Sequence, residues 1–410
     1  MTIDLHHPTA VVDGKLNITG SKSESNRLLI LQALYPNLEI TNLSNSDDTR
    51  AMQKALSVRE DVVDIHHAGT AMRFLTAYFA SQGSGTRILT GSQRMQERPI
   101  KILVSALQSM GAAIAYQKEL GFPPLKITSA PLKTDQIALP ASVSSQYITA
   151  LMLIAGKLPK GLKIHLEGKI TSTPYIEMTN SLLQSLGIDS RFEGNTIVIK
   201  HTPNIDTKTL AVESDWSSAS YAYSLLAIAQ SGSITLTHYR QKSLQGDAVL
   251  QQIYRQLGIE SRFEDAQLML TKIPDFEFPD QISLDLANAP DIAQTIAVTC
   301  AALGIGCTLT GLHTLKIKET DRLVALQNEL QKLGAVLQIT NDSLTLAPHT
   351  ALKSGMSIAT YKDHRMALAF APLALKVPIT ILEADVVSKS YPSYWEDLKN
   401  LGFKIGLSAK

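Results

Sequence analysis

A strand, turn and helix pattern recurs six times along this chain, and that periodicity limits the possible folds more than any other feature. Copies centred on leucine or isoleucine begin near Ile40, Leu89, Leu166, Leu236, Leu309 and Ile381, spaced by 49 residues once and by 70–77 thereafter. Helix exits repeat as well. Met110-Gly111, Leu186-Gly187, Leu257-Gly258, Leu333-Gly334 and Leu401-Gly402 each read as a helix stop with glycine as the cap. The first four lead into alternating strands, such as residues 188–200, with a hairpin at Gly194-Asn195, and residues 259–273. Between copies lie helices of small and apolar residues at 144–156, 217–232, 291–304 and 363–375. They are apolar on nearly every face, which predicts burial. Each repeat reads strand, helix, strand, helix, strand, strand. Six of them predict an α/β (α+β) chain of two domains with three repeats each. The short first interval predicts a first repeat that lacks about a hairpin, with residues 57–66 alone joining its helix to Ala68.

Bulk properties narrow the function. The chain has 410 residues, enough for two or three domains, and its 44% hydrophobic and 18% charged content suits a globular protein. A net charge of +1 gives no bulk attraction to nucleic acid or membrane, so any anion site must be local. The N-terminus has no basic segment followed by a long apolar run, so no signal peptide is expected. Residues 366–382 are mostly apolar but contain Lys376 and two prolines, and read as core rather than a membrane span. Cys300 and Cys307 lie in one apolar segment and read as buried free thiols, consistent with a reducing cytoplasm. No metal-ligand cluster is evident.

Several helix openings concentrate cations and hydroxyls. In Gly20-Ser21-Lys22-Ser23-Glu24-Ser25-Asn26-Arg27, Ser21 and Glu24 have capping-box spacing, which predicts a helix N-terminus at Ser21. Lys22 then sits in a first turn, where the helix dipole disfavours a cation unless an anion binds there. Ser23 and Arg27, four apart, share a helical face. A capped surface helix with solvated charges explains this stretch equally well. His67-Ala68-Gly69-Thr70 offers glycine for close approach and threonine as a cap. Arg98 precedes Pro99, which reads as a first helical residue, although an exposed basic turn would look the same. Ser144, Ser145 and Gln146 head an apolar helix; capping explains the serines but not the glutamine.

Lys316-Ile317-Lys318-Glu319-Thr320-Asp321-Arg322 is the densest charged stretch. Lys318 and Arg322 are one helical turn apart, Glu319 among them is a candidate acid or base, and Leu323, Leu326, Leu330 and Leu333 form a helical stripe. A solvated salt-bridged face would share this pattern. Asp363-His364-Arg365 caps another helix, Lys389 lies in a Ser-Lys-Ser-Tyr-Pro turn, and Asp291 opens an apolar helix, where capping alone is the ordinary explanation. His6, His7 and His66 fit no constellation. No P-loop, glycine-rich dinucleotide loop, zinc ligand set or nucleophile elbow appears. Clustered lysines and arginines without a metal site point to small, multiply anionic ligands.

These residues carry a resemblance. GSKSESNR (20–27), AGTAMR (68–73), LTGSQRMQERPI (89–100), SSQYITALML (144–153), STPY (172–175), KIKETDR (316–322), YKDHRMA (361–367) and SKSYPSYWEDL (388–398) resemble, in order and across almost the whole chain, the 5-enolpyruvylshikimate-3-phosphate synthases, an enolpyruvyl transferase family. The resemblance implies a two-domain inside-out α/β barrel with three βαβαββ units per domain. It places residues 17–212 in an N-terminal domain on the shikimate 3-phosphate side. Residues 1–16 with 213–410 would form a C-terminal domain carrying much of the phosphoenolpyruvate and acid/base side, with the active site in the interdomain cleft and closure of the domains excluding water.

The implied reaction joins phosphoenolpyruvate to the 5-hydroxyl of shikimate 3-phosphate through a tetrahedral intermediate and releases phosphate, with neither metal nor cofactor. Carried over by motif, Lys22, Gly69, Arg98, Gln146, Arg322, Arg365 and Lys389 would hold phosphoenolpyruvate. Ser23, Arg27, Ser144, Ser145, Gln146, Ser172, Asp291 and Lys318 would hold shikimate 3-phosphate. Asp291, Glu319 and Lys22 would be catalytic, with His364 a supporting hydrogen-bonder. A cytoplasmic monomer in aromatic amino acid biosynthesis is expected, with no nucleic-acid or membrane partner. The chain departs from the family pattern at His67, Phe74, Thr19 and Thr314, and in its shortened first repeat. The related enolpyruvyl transferases acting on UDP-N-acetylglucosamine usually carry a reactive loop cysteine and an asparagine after the first lysine. Here Ser23 follows Lys22, and neither cysteine falls in a polar loop.

Overall fold

The computed structural model describes residues 1–57, 60–82, 85–140, 144–168, 170, 173–348 and 351–408. The chain forms two compact units. One comprises Met1–Thr19 with Glu213–Lys410, and the other comprises Gly20–Val212. Each is built from three sheets laid over three buried helices, so the helices are inside and the sheets outside.

In the Gly20–Val212 unit, the inner helices are Lys22–Leu34, Gly69–Gln82 and Ser145–Ala155, which pack on one another. Ser145–Ala155 is buried on nearly every face, as its apolar composition predicts, whereas Lys22–Leu34 also buries Glu24, Ser25, Asn26 and Arg27 in its first turns. Two sheets have four strands. In each, two parallel strands are followed by a hairpin whose second strand pairs antiparallel with the second parallel strand. One such strand, Leu162–Glu167, alternates buried and exposed along its whole length, as expected of a sheet with one face on the core. Among the described residues, the third sheet has two strands, Leu38–Thr41 parallel to Lys208–Ala211. Among the described residues no hairpin pairs with it, which agrees with the short first repeat.

In the other unit the inner helices are Trp216–Ile228, Ala293–Leu303 and His364–Phe370. Its three sheets all have four strands. Two of them recruit the start of the chain. Val11–Leu16 lies parallel to Ser231–Thr237. Ile3–His6 sits between Ile379–Ile381 and Lys404–Leu407, antiparallel to both. The first strand of the chain thus fills the place that a hairpin strand fills elsewhere.

The five predicted helix-stop glycines all adopt positive φ, between 79° and 106°. Three inner helices differ from expectation. The segment expected at 217–232 ends at Ile228, because the chain turns into the strand Ser231–Thr237. The segment at 363–375 is α-helical only to Phe370 and continues as a 3₁₀ turn over Ala371–Leu375, where Pro372 has no N–H to donate. The segment at 291–304 opens with a 3₁₀ turn, Pro290–Ile292. Gly232, at φ 139°, lies where a Cβ would stand 1.9 Å from the Val12 carbonyl oxygen. Gly232→Ala is therefore expected to destabilise the protein by about 2 kcal/mol or more, through strain and the loss of strand pairing. A urea titration of the variant against wild type measures this.

Among the described residues, no helix is long and apolar enough to cross a membrane. Cys300 and Cys307 are free and buried.

Candidate active site

The sequence-predicted residues fall into two groups, one in each unit. In the Gly20–Val212 unit, Ser21 caps the Lys22 helix by accepting from the Glu24 N–H at 3.4 Å. Lys22 Nζ lies 3.7 Å from Asp48 Oδ2, a carboxylate with a 4% exposed side chain. Ser23 offers its carbonyl to Arg27 Nη1 at 2.7 Å. The remaining bonds of Arg27 go inward. Nε donates to Thr179 Oγ1 at 2.8 Å, and Nη2 donates to Thr149 Oγ1 and the Tyr175 carbonyl. The Phe74 and Tyr175 rings lie 5.6 and 5.7 Å from the guanidinium. Burial lowers the Arg27 pKa to about 10. Three of its four hydrogen bonds thus tie its helix to the helices Ser145–Ala155 and Thr173–Ser185, which the i, i+4 argument alone did not foresee.

Gly69 begins its helix, and a Cβ there would meet Arg98 Nη1 at 2.6 Å, so the guanidinium lies against bare backbone. Thr70 is inside the helix rather than its cap, and its hydroxyl accepts from Gln146 Nε2 at 3.4 Å. Pro99 also differs from expectation. The helix begins at Lys101, and the Pro99 carbonyl accepts from Arg73 Nη2 at 3.0 Å and Tyr147 Oη at 2.6 Å. These bonds pin the turn that carries Arg98. Arg73 is buried with its pKa lowered to about 10 by burial and by Arg98. Ser144 caps its helix by accepting from the Gln146 N–H, with Ser145 buried in the first turn. Ser172 lies outside the described residues.

The other unit draws six predicted residues into one ionic network. Asp291 accepts from Arg322 Nη1 at 3.0 Å and Arg365 Nη2 at 2.9 Å, with Lys318 Nζ 3.6 Å away. Glu319 accepts from Arg322 Nη2 at 2.9 Å and from Lys389 Nζ. Arg322, 2% exposed, also donates from Nε to Asp363 Oδ2 at 2.7 Å. Burial works against its charge, yet Asp363, Glu319 and Asp291 together hold its pKa above the ordinary value. Arg365 is likewise raised: burial opposes its charge, and Asp291 leads the groups that support it. Lys318 lies below its ordinary value. Asp291 is the largest single influence and pulls it up, but burial and the Arg322 and Arg365 cations together outweigh it. Four cations here face three carboxylates, Asp291, Glu319 and Asp363.

Local structure explains the convergence and corrects two expectations. Asp291 does not serve as a simple cap. The Ala293 helix has no side-chain cap at Ile292, and the carboxylate turns to the arginines instead. Lys318 is extended rather than helical, because the helix begins at Arg322 behind the Asp321 cap. Lys389 ends a 3₁₀ turn, Ala384–Lys389, and is buried. Asp363 caps its helix at the Arg365 N–H as expected, and the same carboxylate also binds Arg322, a second duty the sequence hid. His364 is buried, with Nδ1 3.6 Å from Asp363 Oδ1. Arg365 Nε has no partner among the described residues, nor does the buried Thr314 hydroxyl. Asp48, Arg73, Ser217 and Asp247 were not foreseen. Asp48 opens the helix Asp47–Ser57, Asp247 lies in the 3₁₀ turn Gly246–Val249 and Arg73 ends the AGTAMR motif, but spacing alone gave none of them a partner.

Comparison with known proteins identifies the family. The sequence pattern of the family described as EPSP synthase (3-phosphoshikimate 1-carboxyvinyltransferase) matches residues 7–58 and 53–398. The 3-phosphoshikimate 1-carboxyvinyltransferase of Bacteroides fragilis strain YCH46 is 42% identical over 398 residues, covering 96% of each chain. That of Sulfurovum sp. strain NBC37-1 is 36% identical over 424 residues, covering 96% of this chain and 98% of its own. The solved structure of EPSP synthase from Acinetobacter baumannii shares the fold, with a TM-score of 0.78 at 21% identity over 99% of both chains. With six charged groups converging in one unit and a family pattern that matches almost the whole sequence, the chain belongs to the EPSP synthase, or 3-phosphoshikimate 1-carboxyvinyltransferase, family.

Proposed function

We propose that this chain transfers the enolpyruvyl group of phosphoenolpyruvate to the 5-hydroxyl of shikimate 3-phosphate, releasing phosphate. The observation that carries the reading is the ionic network of Lys318, Glu319, Arg322, Arg365, Lys389 and Asp291, held on the framework of a family with this activity.

The chemistry needs charge clamping and two proton transfers. A proton must reach the methylene carbon of phosphoenolpyruvate while the 5-hydroxyl attacks the neighbouring carbon and loses its own proton. Collapse of the tetrahedral intermediate expels phosphate and returns the proton from the methyl group. Arg322, Arg365 and Lys389 bind the phosphate and carboxylate of phosphoenolpyruvate, with Arg98 and Lys22 serving the same anion. Before substrate binds, Asp291 and Glu319 hold those cations. An incoming anion competes for them, and the released carboxylates become free to move protons. Asp291 and Glu319, with Lys22 assisting, share the proton transfers as a coupled set. Ser23, Arg27, Ser144, Ser145, Ser172, Asp291 and Lys318 serve shikimate 3-phosphate, with Gln146 contacting both substrates. Arg27 does so chiefly by fixing the helices that carry the serines.

Phosphate release by the purified chain, given phosphoenolpyruvate with shikimate 3-phosphate and no added metal, tests this reading. Release is expected with that acceptor and not with UDP-N-acetylglucosamine. The absence of release with shikimate 3-phosphate from a folded protein would overturn the proposal. Gly69→Ala extends the test. Its Cβ would push Arg98 aside, and because a guanidinium on a flexible stem can move, the fold should survive. The KM for phosphoenolpyruvate is expected to rise about tenfold, the equivalent of one weakened charge-assisted hydrogen bond, with the KM for shikimate 3-phosphate nearly unchanged.

A further inference from the structure

Asp247 has no part in the chemistry above, yet it is wired to it. It lies in the short 3₁₀ turn Gly246–Val249 and is only 6% exposed. The Ser217 hydroxyl donates to Asp247 Oδ2. The same hydroxyl oxygen accepts from Arg365 Nη2 at 3.3 Å, and that Nη2 also donates to Asp291 Oδ2 at 2.9 Å. Asp247, Ser217, Arg365 and Asp291 form one line of polar contacts drawn from four elements of a single unit. The charged groups facing Asp247 are Asp291 from the turn Pro290–Ile292, Arg365 from the His364 helix, and Asp215 from the cap of the Trp216 helix. Two of the three are carboxylates. Burial, then Asp291, push the Asp247 carboxyl up to about 7, so near neutrality it is divided between its two forms.

We propose that Asp247 takes up a proton from solvent when an anion binds against Arg365, so that the site receives negative charge without keeping Asp247 ionised behind it. The inference rests on the reading of Arg365 as a phosphoenolpyruvate ligand. Arg365 is the cation that favours ionised Asp247. An anion on its guanidinium cancels that field and adds negative charge, and both changes favour the protonated carboxyl. Linkage makes the effect reciprocal: a proton on Asp247 tightens anion binding by the factor by which the anion tightens the proton. Protonated, Asp247 can donate to Ser217 Oγ, so the line of contacts persists in either form. Asp247 is thus a positioning residue that tunes Arg365 by its charge.

Asp247→Asn mimics the protonated state permanently, which gives the test an unusual sign. The KM for phosphoenolpyruvate of wild type and variant should be equal near pH 6. By pH 8.5 the wild-type KM should exceed that of the variant by about tenfold, for a one-unit linkage. The ionisation of phosphoenolpyruvate itself is common to both proteins and cancels in the ratio. A constant ratio across pH, or a variant that binds worse at pH 8.5, overturns the inference; a purely structural role predicts the latter. If wild type turns over neither substrate, the functional reading has failed, and stabilisation by inorganic phosphate then decides the inference. That stabilisation should fade between pH 6.5 and 8.5 more in wild type than in the variant, and equal fading overturns it. Should Asp247→Asn fail to fold, Asp247→Ser removes the same carboxyl and is held to the same two outcomes.

Discussion

Replacing Glu319 with glutamine is expected to lower turnover by about 10²–10⁴-fold, the range typical of losing one general acid or base. Glutamine keeps the length and shape of the side chain. Its carbonyl oxygen can still accept from Arg322 Nη2, at 2.9 Å in the wild type, or from Lys389. What it loses is the capacity to carry a proton. Glu319 is 18% exposed, so its removal should cost only about 1 kcal/mol of stability, as partly solvated ion pairs do. The affinity for shikimate 3-phosphate should change by less than about threefold, because Lys318, Ser23 and Arg27 remain. The effect should therefore appear in kcat more than in KM, the mark of an interaction made in the transition state. Wild-type turnover in this variant would remove Glu319 from proton transfer and leave Asp291 and Lys22 to carry it. Glu319→Asp, which keeps the proton but shortens the reach, should fall between wild type and Glu319→Gln.

What made the fold legible was repetition. A period that recurs six times, with glycine at five helix exits, leaves few ways to bury its small-residue helices, and the two-stranded sheet of the first repeat among the described residues followed from one short interval. The same pattern could not show that the start of the chain completes two sheets of the Glu213–Lys410 unit, since strand pairing across hundreds of residues has no local signal. At the site, residue types were legible and their partners were not. Spacing placed Lys318 and Arg322 on one helical face, but that argument needs a helix, and the helix starts at Arg322. Asp291 looked like a cap because it follows proline at a helix start; the arginines that claim it lie 31 and 74 residues away. Asp247 was invisible for another reason. A carboxyl in a polar turn looks solvated, and only packing shows it enclosed beside Asp291. Phe74 gained meaning in the same way: a departure in sequence became the ring beneath Arg27.

Asp363→Ala should be the most destabilising single change at the site. Asp363 is fully buried and does two things with one carboxylate. It accepts from Arg322 Nε at 2.7 Å, and it caps the His364 helix at the Arg365 N–H at 2.9 Å. Breaking a buried ion pair by removing one partner costs about 3–5 kcal/mol, because the other charge stays buried. Losing a helix cap costs about 0.5–2 kcal/mol. The two are not independent, since both arise from one group, so the sum is an upper bound. Arg322 would keep Asp291 and Glu319, whose side chains are each 18% exposed, and that residual pairing pulls the loss toward the lower end, about 3–4 kcal/mol. This is a large part of the 5–15 kcal/mol that stabilises a typical native protein. Asp363→Asn separates the two duties. Its side-chain oxygen can still cap the helix but brings no charge to Arg322, so it should recover the capping share and little more. Urea titrations of wild type and both variants read the order directly. Activity should fall with stability in Asp363→Ala, because Arg322 is then held only by the two carboxylates the reaction needs free. If Asp363→Ala were as stable as wild type, Arg322 would be anchored without Asp363, and the buried pair would be dispensable to the architecture of the site.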